Sequence, residues 1–176
     1  MSANSQVLEL IARNQEYAKT HTPSPFIEEL PVSVRPHVII YCCLDGRVDP
    51  AALLGLTPSD AFVLRNIGCG VSRNINDMLF LDSVLDLREV LILSHTDCGV
   101  THVTDDAIRK TIKSRITGQD KEIDGLHFGT FKDNFERVRS DVKFFKTHPL
   151  VRQELAENIF GAVYDIKTGK VTRVEI

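Results

Sequence analysis

The 176-residue sequence has few cysteines, no long apolar run and no excess of charge of either sign. Each absence excludes something. No stretch approaches the roughly 20 apolar residues that a membrane-spanning helix needs. The formal net charge is −3 and the sequence pI is about 6.1, so nothing points to nucleic acid or to an anionic membrane surface. Residues 1–6 are polar and lack the basic-then-apolar build of a signal peptide, which leads us to expect a cytoplasmic protein. There is no internal repeat and no low-complexity segment. The cysteines are Cys42, Cys43, Cys69 and Cys98, too unevenly spaced for a disulfide scaffold, and a reducing compartment keeps such thiols unpaired. Metal binding or catalysis is the default for such a set, with simple burial as its rival. What is there is ordinary: 43% hydrophobic and 26% charged residues, enough for one domain over 1–176 with a helical arm at about 1–20.

Hydrophobic periodicity organises the chain. Residues 5–19 read as a helix with Val7, Leu10, Ile11 and Ala18 on one face. A Pro-containing stretch follows, His21 to Pro36. Val38 to Cys43 is a continuous apolar run, as expected of a strand covered on both faces in a parallel sheet. Ala61–Leu64 and Val90–Leu93 match it. Helical patterns lie at 74–87 (Ile75, Met78, Leu79, Leu85) and at about 104–115 (Ile108, Ile112). Asp120 to Gly125 is polar and reads as a loop. Phe131, Phe135, Val138, Val142 and Phe145 repeat at helical spacing, with Arg137, Arg139, Lys143 and Lys146 as the solvated face. Lys167-Thr168-Gly169-Lys170 reads as the turn of a closing hairpin between segments 158–164 and 170–176. Strands alternating with helices predict an α/β fold: a mostly parallel central sheet flanked by helices, with a C-terminal strand hairpin.

In such sheets chemistry gathers at the carboxyl ends of the strands. The first apolar run ends in Cys43-Leu44-Asp45-Gly46-Arg47, and the third in Ser94-His95-Thr96-Asp97-Cys98-Gly99. If the two strands are neighbours, Cys43, His95 and Cys98 converge. Two thiolates and an imidazole suit Zn2+, and three protein ligands leave the fourth tetrahedral position open, as in catalytic zinc sites. Strand alternation turns Cys42 to the opposite side, into core packing. Cys69 is an alternative fourth ligand that would close the shell, giving a non-catalytic zinc domain; otherwise it lines the cleft or is simply buried. Two thiolates offset the charge of Zn2+, so bound water is acidified less than by three neutral ligands, and the surroundings must help. Arg47 is placed to grip Asp45 through a bidentate pair and keep it ionised, hence acceptor-only. Asp45 can then orient a bound hydroxide; released, it can itself close the site. The bland alternative is a surface ion pair. A thiol redox protein using Cys42 and Cys43 is a further reading, against which stands the absence of Cys-x-x-Cys. His102 is a packing or capping residue, or a proton relay; His21, His37, His127 and His148 have no partner at ligand spacing.

These motifs resemble those of the β-class carbonic anhydrases: Cys-x-Asp-x-Arg (Cys43, Asp45, Arg47), His-x-x-Cys (His95, Cys98), and Arg65-Asn66-Ile67-Gly68. The resemblance is strong over roughly residues 35–115 and returns at Gly161–Asp165 and Thr168–Lys170; the compact length and the Gly68-Cys69 variant look like the small members of the family. It implies one zinc per chain and hydration of CO2 to bicarbonate by a zinc-bound hydroxide. It also implies product or substrate contacts at Gly99 and Gly68, and a homodimer or dimer-based tetramer with the N-terminal helix reaching over the partner. Small members of the family also include hydrolases of carbonyl sulfide or carbon disulfide, and the shared motifs do not separate these activities.

Overall fold

The computed structural model describes residues 5–31 and 34–176. Residues 1–4 of the expected arm, and residues 32 and 33 of the Pro-containing stretch, lie outside the described ones. The chain divides into two compact units, Met1–Ser33 and Val34–Ile176.

The first unit carries helix α1 (Gln6–Ala18) and a short turn of 3-10 helix at Ile27–Glu29. Arg13 pairs with Glu9 one turn away, and Lys19 with Glu16, contacts worth a few tenths of a kcal/mol each. No residue of α1 is buried, and Val7, Leu10 and Ile11, its expected apolar side, are exposed.

The second unit is an α/β layer structure. Strands β1 (Val38–Cys43), β2 (Phe62–Asn66), β3 (Glu89–His95) and β4 (Ile159–Tyr164) are parallel, and β5 (Val171–Val174) returns antiparallel to β4. The order across the sheet is β2-β1-β3-β4-β5. β1 and β3 are therefore central, which is why they read as unbroken apolar runs. Ile39 and Tyr41 face one core, Ile40 and Cys42 the other. The expectation that the second run is equally covered is corrected. β2 is an edge strand that also takes in Arg65 and Asn66, and its side chains alternate between half-buried and exposed.

Five helices join these strands: α2 (Pro50–Leu54), α3 (Ile75–Leu85), α4 (Asp105–Lys113), α5 (Asp120–Asp124) and α6 (Asn134–Thr147); a sixth, α7 (Gln153–Glu157), precedes β4. Asp49 caps α2 and Thr104 caps α4 through their side-chain oxygens, a device that satisfies an otherwise orphaned amide. Of residues 120–125, read as a loop, 120–124 form α5 instead. Ile123 anchors it in the interior, and Lys113 pairs with Asp120 and Asp124 along it. α6 begins only at Asn134, capped by Asp133, so Phe131 stands before the helix and serves the site described below. Val138, Val142 and Phe145 bury completely against the sheet, each burial contributing about 1.5–3 kcal/mol. A Cβ at Gly161 of β4 would overlap Val138, so this close approach of helix to strand requires glycine. Arg137 is not on a solvated face: its Nε donates to the buried carboxylate of Asp141 at 2.7 Å.

Candidate metal centre

Because β1 and β3 are adjacent and parallel, their carboxyl ends open side by side. Cys43 is the last residue of β1 and His95 the last of β3; Cys98 follows at the start of a 3-10 turn, Gly99–His102. The three residues are buried, and their Sγ and ring nitrogen atoms lie within 4.8 Å of one another. The two sulfurs are 3.8 Å apart. Nδ1 of His95 is 2.9 Å from the carbonyl oxygen of Thr96, so Nδ1 is the donor and Nε2 carries the free lone pair. Nε2 is buried and has no hydrogen-bond partner. An orphaned buried nitrogen beside two converging sulfurs is expensive unless something fills the gap. A divalent, borderline-soft ion such as Zn2+ fits that donor set.

The electrostatics agree with this. A hydrogen bond from the Cys98 thiol holds Cys43 below the usual thiol range, while that same contact and burial push the Cys98 thiol up. Burial lowers the affinity of His95 for a proton, but the Cys43 sulfur, the Thr96 carbonyl and the Asp45 carboxylate together outweigh it and the net shift is upward.

Asp45 and Arg47 sit in a tight turn after β1 rather than on an extended segment. The turn still brings them together. Oδ1 of Asp45 accepts from the Arg47 backbone N–H at 2.9 Å and from its Nε at 3.0 Å, and Oδ2 accepts from Nη2 at 2.7 Å. These bonds hold the Asp45 carboxyl well below the usual carboxylate range.

Arg65 is a residue whose work the motif did not disclose. Reaching across from β2, its Nε donates to the carbonyl of Cys43 at 3.1 Å, and Nη2 to the carbonyls of Asp45 at 2.8 Å and Val48 at 2.7 Å. It thereby satisfies the three backbone acceptors of the turn that carries Cys43 and Asp45. Its neighbour Asn66 donates through Nδ2 to Gly70 O and Asn74 Oδ1, shaping the next turn, Ile67–Cys69. Gly68 in that turn has φ +67°, and its Cα backs onto Val100 and Phe131.

A cavity of about 180 Å³ opens over the two sulfur residues of the group, Cys43 and Cys98, with His95 buried beneath them. It is lined by Cys43, Leu44, Asp45, Ile67, Gly68, Cys98, Gly99 and Val100, so Gly68, Gly99 and Asp45 all reach it and its walls are otherwise apolar. Cys69 does not reach it. Its thiol is fully buried, donates to Tyr41 O at 3.1 Å, and is pushed well above the usual thiol range by burial. Among the described residues the ligand-type group comprises three residues and excludes Cys69. Cys42 is buried in the core on the other side of β1. His102 places its Nε2 2.8 Å from Asp97 Oδ1.

With this geometry in hand, the relatives are informative. A family profile described as carbonic anhydrase matches residues 38–171. β-Carbonic anhydrase 1 of Mycobacterium tuberculosis is 31% identical over 169 residues, covering 93% of this chain and 94% of its own. The chain belongs to the β-carbonic anhydrase family. Its fold superposes on the carbonic anhydrase of Streptococcus mutans with TM-score 0.83 at 31% identity, covering 98% of this chain and 99% of the other. A carbon disulfide hydrolase of Saccharolobus solfataricus is 26% identical over 155 residues, covering 76% of this chain and 75% of its own. Zinc is the metal of β-carbonic anhydrases, and Cys43, His95 and Cys98 are the group that can hold a metal in this one.

Proposed function

We propose that this β-carbonic anhydrase hydrates CO2 to bicarbonate at a zinc ion held by Cys43, His95 and Cys98. The observation that carries the reading is the orphaned Nε2 of His95 facing two buried sulfurs under a small apolar cavity. Zinc bound there supplies the acidity that makes water a nucleophile near neutral pH. The chain's own residues do the rest. Leu44, Ile67 and Val100 present an apolar wall on which a linear, uncharged triatomic molecule loses little by leaving water. Asp45 stays ionised in the grip of Arg47, so it accepts a hydrogen bond and cannot donate one. It therefore fixes the hydrogen of the attacking oxygen and turns that oxygen's lone pair toward the substrate carbon. It also disfavours anions that carry no proton to share. Gly68 and Gly99 bring the substrate and product against backbone, because no side chain intervenes.

A second reading keeps the site and changes the substrate to carbonyl sulfide or carbon disulfide. The apolar walls of the cavity and the similarity to a carbon disulfide hydrolase favour it. One experiment weighs the two: kcat/KM for CO2, carbonyl sulfide and carbon disulfide on a single zinc-loaded preparation. We expect CO2 to lead. A preference for either sulfur compound would transfer the specificity argument to Leu44, Ile67 and Val100. Loss of zinc-loaded activity toward all three would overturn both readings.

The same proposal includes a homodimer or dimer-based tetramer, supported by the apolar side of α1, which is exposed. It also includes a cytoplasmic setting, supported by four free cysteines. No described helix is long and apolar enough to cross a membrane.

A further inference from the structure

We infer that Asp97 is a positioning residue: it holds Arg47, and through Arg47 the Asp45 carboxylate, at the mouth of the metal centre. The inference rests on the role of Asp45 and Arg47 given above and adds a residue that role does not use. Asp97 is the third residue of His95-Thr96-Asp97-Cys98, and its φ is +54°. That conformation disfavours most side chains, and Asp is one of the few that tolerate it. It turns both the carbonyl and the carboxylate of Asp97 toward one guanidinium. Arg47 Nη2 donates to Asp97 O at 2.9 Å and Nη1 to Oδ2 at 2.8 Å. The opposite edge of the same guanidinium grips Asp45 through Nε at 3.0 Å and Nη2 at 2.7 Å. The remaining oxygen of Asp97 meets His102 Nε2 at 2.8 Å.

Arg47 is thus clamped along two edges between the turn that carries Cys43 and the turn that carries His95 and Cys98. A guanidinium paired with one carboxylate can swing with it as a unit. Held at both edges it cannot, and the carboxylate on the cavity side is fixed with it. The competing explanation is an ordinary surface ion pair, since the Arg47 and Asp97 side chains are 48% and 53% exposed. That exposure makes the contribution to stability small. A positioning role therefore appears in turnover and in the motion of Arg47, not in the unfolding midpoint.

The test uses the full-length zinc protein and two substitutions. Asp97→Gly removes the carboxylate and accepts φ +54° without strain; Asp97→Asn keeps a side-chain oxygen acceptor at the same φ. We expect Asp97→Gly to lower kcat by about two- to fivefold, the range of one half-exposed ion pair, with KM unchanged. Asp97→Asn restores most of that loss. In an Arg47→Ala background, Asp97→Gly has no further effect, because the two residues act as one unit. A second readout needs no substrate: proton exchange of the Arg47 Nε–H by NMR accelerates in Asp97→Gly and is restored in Asp97→Asn. Unchanged exchange in Asp97→Gly, or additive losses with Arg47→Ala, would overturn the inference. If the NMR response is present but no substrate is turned over, the positioning stands and the proposed function fails.

Discussion

Gly68 and Gly99 both line the cavity, yet the structure separates their roles, and substituting each by alanine tests that separation. At Gly68 the backbone has φ +67°, and a Cβ would lie 3.0 Å from a Val100 methyl and 3.3 Å from Phe131. The left-handed conformation costs an alanine about 1–2 kcal/mol. Pressing on Val100 and Phe131 adds about 1–2 kcal/mol, toward the low end of overpacking because the Val100 methyl can give way. The sum is about 2–4 kcal/mol, a fall in Tm of about 4–16 °C for a chain of this size. At Gly99 the φ is not left-handed and a Cβ would meet nothing within 4 Å, so Gly99→Ala should change stability by less than about 0.5 kcal/mol. Its methyl nonetheless enters the cavity, and kcat/KM should fall. Thermal unfolding of both variants, metal-free and zinc-loaded, together with CO2 hydration rates, reads out the two axes. A Gly68→Ala protein as stable as the parent, or a Gly99→Ala protein that loses several degrees, would refute the reasoning from local geometry.

Three further outcomes are expected. Cys43→Ser and Cys98→Ser each lose most of the zinc in a dialysis and metal-analysis experiment, whereas Asp45→Ala keeps its zinc and turns over about tenfold or more slowly. Arg137→Met leaves the Asp141 carboxylate buried without its cation and costs about 3 kcal/mol in denaturant unfolding; an unchanged midpoint would show that water or another donor already serves Asp141. Asp105 is held well below the usual carboxylate range by the Thr130 hydroxyl and by the backbone N–H groups of Thr130 and Phe128. A depressed folded pKa gives stability that is present above the unfolded value of about 3.9 and lost as pH falls below it. Asp105→Asn should therefore be less stable than the parent at pH 7, with the difference narrowing below about pH 4.

The strand ends and the residues that meet there were legible because both signals are local. An unbroken apolar run marks a central strand, and a Cys or His just after it marks the carboxyl edge of the sheet. The second core strand misled for the same reason: Ala61–Leu64 is as apolar as a central strand, but edge position is decided by which neighbour pairs with it. Periodicity also placed Val138, Val142 and Phe145 correctly while hiding Asp141, a carboxylate on the buried side of the same helix. Its acceptability depends on Arg137, four residues earlier, which the pattern had assigned to solvent. Arg65 and Asp97 were in view as letters of motifs. Their work on the Cys43–Val48 turn consists of hydrogen bonds to backbone and side chains 17 to 50 residues away, and no local pattern encodes such partners. Short α5 escaped because a single apolar residue, Ile123, cannot establish a period.

The division of the ligand-type residues between two strands has a consequence for how the protein is made. Cys43 and His95 lie on neighbouring strands, but the whole excursion through β2 and α3 separates them in the chain. Closing a loop of that length is an entropic toll that comes before any contact across it is gained. Before the strands pair, the His95–Cys98 pincer and Cys43 stand apart in the chain. The complete trio exists only once β3 has docked beside β1. An ion captured by all three is thus a reporter of completed sheet assembly, and each increment of its affinity draws the folding equilibrium toward the paired strands. If an ion binds there as proposed, its scarcity would lower the amount of folded protein as well as turnover.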